Sequence, residues 1–268
     1  MSLQFVRSVV RGLGWSVGGG ALAFADAGSS WFELGFVEVG GRCRREPLSG
    51  CGTVRFEDVS PVRAFRWSKG QRHFPGWWWS ATMGGHVGFE SWLERDHVML
   101  LDFDPNVVAF ASQPFWLHWS SEDGERRHAP DFFARQVDGA GVVVDVRAAD
   151  RIEPADAEAF EVTGRACAEA GWAFRRVGVL DPVFTANVRW LSRYRHPRCA
   201  GPDGIAGRLR AVFADPLALL AGAAEVGDTL VVLPALFHLM WRQELVADLA
   251  AGPLRSFSLV HRAAGGVR

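Results

Sequence analysis

Apolar and polar positions change rhythm three times along the chain. Up to about residue 60, glycine-rich turns separate short strand-like runs, Trp31 to Val39 and Thr53 to Phe56 among them, which read as a β-rich N-terminal extension with no assignable chemistry. From Thr82, Phe89, Trp92, Leu93, Leu100 and Phe103 recur at helical spacing, with Glu90, Glu94, His97 and Leu101 on a second stripe. That pattern predicts a helix from about His86 to Asp102. Asp104-Pro105-Asn106 should end it, because proline disfavours the helical conformation in the residue before it. Strand-like runs follow at Val107 to Ser112, Phe115 to Trp119, Asp131 to Gln136 and Gly141 to Ala148, then a helix from about Pro154 to Ala170 and a strand from Phe174 to Leu180. This order predicts an α/β domain over residues 61–182, a mixed central sheet flanked by helices.

After Asp181-Pro182 the texture turns helical. Ile205 to Phe213, Pro216 to Glu225 and Leu233 to Ala251 are helix candidates, the last opened by Pro234 in its first turn and closed by Gly252-Pro253. A strand from Leu254 to Val260 completes residues 183–268. Three helices and a strand fit a winged-helix-like domain, a module that can lay a helix on a duplex; a helical cap on the first domain fits the same pattern.

Composition narrows the field. A chain of 268 residues with 49% hydrophobic content buries roughly three quarters of its unfolded surface, so folding needs no disulfide or metal staple. The four cysteines, Cys43, Cys51, Cys167 and Cys199, form no Cys-x-x-Cys pair and suit reduced thiols in a cytoplasm. No run of eighteen apolar residues suggests a membrane span, and the segment around Ala21 to Ala25 makes a poor export signal because glycines and arginines interrupt what precedes it. Gly12 and Gly14 begin a dinucleotide fingerprint that Val17 breaks, and serine-hydrolase, Walker and zincin motifs are missing.

The charge is near balance, 29 basic residues against 30 acidic, and Lys69 is the only lysine. Local asymmetry is stronger. Between Asp58 and Glu90 no acid occurs, while Arg63, Arg66, Lys69 and Arg72 alternate with Phe65, Trp67, Phe74 and Trp77-Trp78-Trp79. Cations beside flat rings suit a phosphate backbone and exposed bases, and core tryptophans among solvated arginines give the same pattern. A second acid-free cluster includes Arg193 and Arg195, a DNA contact or a solvated basic linker.

The chemistry gathers around Asp138-Gly139-Ala140-Gly141. This element reads as a hairpin turn, and pairing centred on Asp138 sets Asp131 opposite Asp145, with Cβ atoms about 5 Å apart. Period-two alternation then puts Arg147 on the same face as Asp145. A carboxylate placed after Val142-Val143-Val144 is costly to bury unless it is paired or binds a metal. Two such groups raise one pKa unless a divalent ion neutralises them, and hard oxygen donors select Mg2+ or Mn2+. The competing reading is a strand end reaching water with Arg147 in a simple salt bridge.

Pro130-Asp131 followed by Asp145-x-Arg147 resembles the PD-(D/E)xK signature of restriction-like nucleases. The wider run Gly88 to Asp96, Phe103 to Val108 and Gln113-Pro114-Phe115, with the PDFF and VVVDVRAADR segments, resembles the TnsA-like endonuclease subunit of heteromeric transposases over residues 60 to 180. The part through Leu236 to Trp241 resembles that family's winged-helix domain less specifically. The resemblance implies a restriction-endonuclease-like fold and Mg2+- or Mn2+-dependent hydrolysis of one DNA strand at the 5′ ends of a transposon. It also implies a DDE-type transposase partner and an AAA-type ATPase regulator. By motif position it implies Glu94, Asp131 and Asp145 as metal ligands and Arg147 in the place of the usual lysine. Glu90, one turn before Glu94 on the same stripe, reads as facing solvent or standing behind the ligands, and Gln113 as orienting the site or capping a strand. Arginine keeps its proton at any relevant pH, so Arg147 can hold a phosphate but cannot act as a base. A catalytically silent DNA-binding subunit and a stand-alone defence nuclease of the same fold remain alternatives.

Overall fold

A computed structural model describes residues 32–65 and 74–264. Arg66, Lys69, Arg72, Trp67 and the Gly12 region lie outside the described residues. The described residues divide into two compact units, one built on those from Phe32 to Leu101 together with Asn106–Val179, the other on Asp102–Pro105 and those from Leu180 onward.

The first unit contains β1 (Glu33–Val37), β2 (Cys43–Pro47), β3 (Gly76–Ser80), β4 (Gly85–Phe89), α1 (Trp92–Phe103, through Leu101), β5 (Val107–Ser112), β6 (Trp116–Ser121), β7 (Gly124–His128), β8 (Phe132–Gln136), β9 (Gly141–Val146), α2 (Pro154–Ala170) and β10 (Ala173–Val177). One sheet has the order β10-β9-β8-β5, with β10 parallel to β9 and the other pairs antiparallel. It is the mixed sheet expected. A second sheet, β2-β1-β6-β7, is antiparallel throughout.

The valine run explains why β9 is central. Val142, Val143 and Val144 are all buried, and β-branched side chains pack well on a pleated surface covered on both faces. Val143 and Phe133 look into a core shared with the second sheet and α2, where Phe56 touches the rings of Phe36, Phe115, Phe133 and Trp172. Val142, Val144, Phe132 and Ala134 face the opposite way, toward Val98 and Leu101 of α1 and Val87 and Phe89 of β4. Residues 32–60, read from sequence as an extension, thus supply two strands and a wall of this core. The strand expected at Thr53 to Phe56 is a set of turns instead, fixed by Phe56 pointing inward rather than by ladder bonds.

The helix expected from His86 begins only at Trp92. His86 to Phe89 belong to β4, which pairs with the tryptophan strand β3. Ser91 explains the shift: its Oγ accepts the Glu94 amide at 3.1 Å, an N-cap that starts the helix there. For α2 the predicted bounds hold, with Pro154 in the first turn and Gly171 left-handed at φ 72° after the last. β7 was missed because its sequence, Gly-Glu-Arg-Arg-His, is polar and half solvent-facing.

The second unit holds α3 (Pro182–Leu191), α4 (Ile205–Val212), β11 (Leu217–Ala218), α5 (Leu219–Val226), α6 (Thr229–Trp241), β12 (Leu245–Val246) and β13 (Leu259–Arg262). Its short strands form an antiparallel sheet in the order β11-β13-β12. α6 starts four residues before the expected Leu233 because Asp228 caps it, accepting the Leu230 amide at 2.9 Å. Pro234 therefore sits inside the helix, not in its first turn. The helix stops well before Ala251, where Gln243 turns left-handed at φ 53°. The strand expected from Leu254 to Val260 starts only at Leu259 and runs on to Arg262 as β13, and the helix α3 has no counterpart in the sequence reading. Among the described residues no single helix is long and apolar enough to cross a membrane, and the apolar pair α5 and α6 is bent by 119°.

Replacing Phe56 by Ala removes a fully buried ring with four aromatic neighbours and should lower unfolding stability by about 3–5 kcal/mol, read from urea denaturation.

Candidate active site

The site grows out of the β8–β9 hairpin. Its register runs from Arg135↔Gly141 to Phe132↔Val144, so one further step sets Asp131 against Asp145, as pairing about Asp138 requires. The turn is closed by the Gly139 amide on the Gln136 carbonyl at 2.9 Å, with Gly139 at φ 87°. Asp138 secures it by accepting the Ala140 amide at 2.9 Å. Across the hairpin the Val146 amide donates to Asp131 Oδ2 at 2.7 Å. The two acids thus share the strand end that opens into a cleft of about 520 Å3.

Glu94 reaches the same cleft from the start of α1. Its Oε2 accepts the Glu90 amide at 2.7 Å and its Oε1 accepts the Ser91 hydroxyl at 2.8 Å, so both oxygens also serve the helix cap. Burial, the largest effect, raises the Glu94 pKa above the usual carboxylate value, against those two hydrogen bonds. Asp131 is raised well above its usual value, by burial first and then by the charges of Glu94 and Asp145. Asp145 itself is 2% exposed, and the imidazole of His128, at the end of β7, faces both its oxygens at 3.0 Å.

The arginines of the cleft are engaged with outer acids. Arg63 pairs with Glu90 at 2.7 Å and Arg147 with Asp156, in the first turn of α2, at 2.7 Å. Arg127 lies over the Trp116 ring at 4.3 Å. His128 is the side-chain partner of Asp145, while the charge of Arg63 acts on Glu94 and Asp131 from its place on Glu90. Among the described residues no three His, Cys, Asp or Glu side chains stand gathered as a ready metal-binding group. The donor chemistry nevertheless suits a hard divalent ion: three carboxylates line one cleft, and one of them is pushed toward protonation by burial and then by the charges of the other two.

Several expected residues stand elsewhere. Glu90 precedes α1 rather than lying one turn up its stripe, and its side chain holds Arg63. Gln113 acts through its main chain, donating to the Asp131 carbonyl at 2.8 Å and accepting the Val62 amide at 3.0 Å. It does so at φ 46°, a conformation strained for a residue with a side chain, and its buried amide has no partner. Arg193, exposed, lies 4.9 Å over Trp190. Arg195 is half-buried, donates to the Ser192 carbonyl at 2.7 Å, and is held below the usual guanidinium pKa by burial. Of the tryptophan strand, Trp77 is exposed and Trp78 packs against the core. His128, Arg127 and Trp116 were missed as cleft residues; the histidine two residues before Pro130 was the available signal for the first.

Residues 104–177 match the model of the TnsA-like endonuclease N-terminal domain. That stretch is similar to a TnsA-like endonuclease domain. The matched stretch runs from the end of α1 to β10 and includes Asp131, Asp145, Arg147 and His128. No curated protein matches the chain.

Because its pKa is raised on folding, Asp131 favours the folded state when protonated; stability falls as pH rises from the ordinary aspartate range through the raised value. Asp131→Asn should therefore be more stable than wild type at neutral pH in urea titrations, and the gap should close as the pH is lowered into that range.

Proposed function

We propose that this protein is the endonuclease subunit of a heteromeric transposase, hydrolysing one DNA strand at transposon ends with a divalent cation. The observation that carries the reading is the buried Asp131, destabilised as an anion by Glu94 and Asp145 inside a segment that matches a TnsA-like endonuclease domain. Such a cluster is unfavourable for folding alone and becomes favourable when a cation enters it.

Asp131, Asp145 and Glu94 would hold Mg2+ or Mn2+, which supplies Lewis-acid stabilisation of charge on a phosphate and activates water for attack. The chain's own residues do the rest. The Val146 amide fixes one oxygen of Asp131 and leaves the other directed at the cleft. Both Glu94 oxygens accept one hydrogen bond, from the Glu90 amide and the Ser91 hydroxyl, and each keeps a second lone pair for an ion. Arg147 and Arg127 meet the negative phosphate backbone at the rim. Since Arg147 cannot take up a proton, its part is to position and neutralise the phosphate.

The choice of the 5′ strand, the DDE-type transposase and the AAA-type regulator rest on the likeness to TnsA-like proteins. A winged-helix reading of the second unit is supported by the order α4, β11, α5, α6, β12, β13 with its three-stranded antiparallel sheet. α6 is a poor duplex reader, being without arginine or lysine and largely buried. Arg193 is the better candidate for a phosphate contact.

With transposon-end DNA and the cognate transposase, the wild-type chain should release a 3′-hydroxyl and a 5′-phosphate in Mg2+ or Mn2+. Asp131→Ala should abolish the cut and leave DNA binding intact. Absence of any wild-type cut in either ion would favour the silent-subunit reading. Arg193→Ala should reduce the log-log salt slope of DNA binding by about one.

A further inference from the structure

His128 and Asp145 come from different sheets and meet in the cleft. His128 ends β7 of the antiparallel sheet, and Asp145 lies near the end of β9 in the mixed sheet. Nε2 of His128 stands 3.0 Å from Oδ1 and 3.0 Å from Oδ2 of Asp145. A carboxylate can only accept, so Nε2 carries hydrogen and its N–H is shared between the two oxygens. Phe160 of α2 meets the imidazole edge-on, with ring centroids 6.1 Å apart at 81°, and limits its rotation. Ala129 and Pro130 alone separate His128 from Asp131, so the chain that aims the imidazole also delivers the second acid.

We propose that His128 is the positioning residue of Asp145, holding its carboxylate aimed into the cleft so that a divalent cation can bind it together with Asp131. The proposal rests on the nuclease reading above. A single N–H donor suits the task better than a guanidinium. When an ion takes one oxygen, the N–H keeps a two-centre bond to the other, and the ligand stays oriented. An arginine there would engage both oxygens and oppose the cation directly. The arginine nearest in sequence, Arg147, is instead turned to Asp156. His128 therefore acts through Asp145 and needs no contact with DNA.

The test is Mn2+ affinity of the full-length chain, read from free Mn2+ by electron paramagnetic resonance, with thermal unfolding recorded for each variant. His128→Ala should weaken Mn2+ binding about 10- to 100-fold. His128→Gln, whose amide N–H can reach the place of Nε2, should restore affinity to within a few-fold of wild type. A purely structural tie between sheets predicts a lower melting temperature with unchanged affinity of the folded protein. Unchanged or tighter binding by His128→Ala overturns the proposal. If that variant does not fold, His128→Asn, whose shorter amide falls back from Asp145, must show the same loss of affinity or the proposal falls. A wild-type chain that binds no Mn2+ overturns the metal reading and this inference together. Binding by wild type that Asp145→Ala leaves intact removes Asp145 as a ligand and the proposed role of His128 with it.

Discussion

Repulsion between buried carboxylates is the constraint around which the first unit is arranged. A lone aspartate at the end of a valine-rich central strand would be neutralised or solvated; here Asp145 is sealed in and Asp131 is set beside it by the hairpin register. Nothing in the packing of Phe133 and Val143 on the same face requires two acids there. The rest of the fold tolerates them by sealing the sheet on both faces and by placing main-chain donors where charge accumulates. Polar groups this unfavourable for stability usually mark the place where a protein does its chemistry.

The surrounding cations follow a consistent division of labour. The arginines that line the cleft each have an outer acid or an aromatic ring as partner, and Asp145 has the imidazole of His128. Had Arg147 or Arg63 paired with Asp131, the cluster would be a closed salt bridge with little attraction for an ion. With Arg147 on Asp156 and Arg63 on Glu90, these guanidiniums pair with acids other than Asp131 and Asp145.

Much of this could be read in the chain before any coordinates. The valines, the Asp-Gly-Ala-Gly turn and the helix from Pro154 carry local signals strong enough to fix β9, the register opposite Asp131 and the bounds of α2. What escaped was decided by contacts between distant residues. His86 to Phe89 fit a helical stripe, yet β3 claims them as a strand and Ser91 starts the helix later. Glu94 was legible as a site residue but not as its own helix cap, because both parts use one side chain. The place of His128 depends on the pairing of β7 with β6, and β7 is too polar to betray a strand. In the second unit Pro234 has the local signature of a helix opener, yet Asp228 begins the turn before it.

The link between Arg147 and Asp156 has one more implication. Asp156 lies in the first turn of α2, where it also accepts the Glu153 amide at 3.2 Å and meets the positive end of the helix dipole. Losing the arginine therefore leaves this acid well accommodated. Arg147 is thus held by an acid that keeps the Glu153 amide and the helix N-terminus as partners of its own.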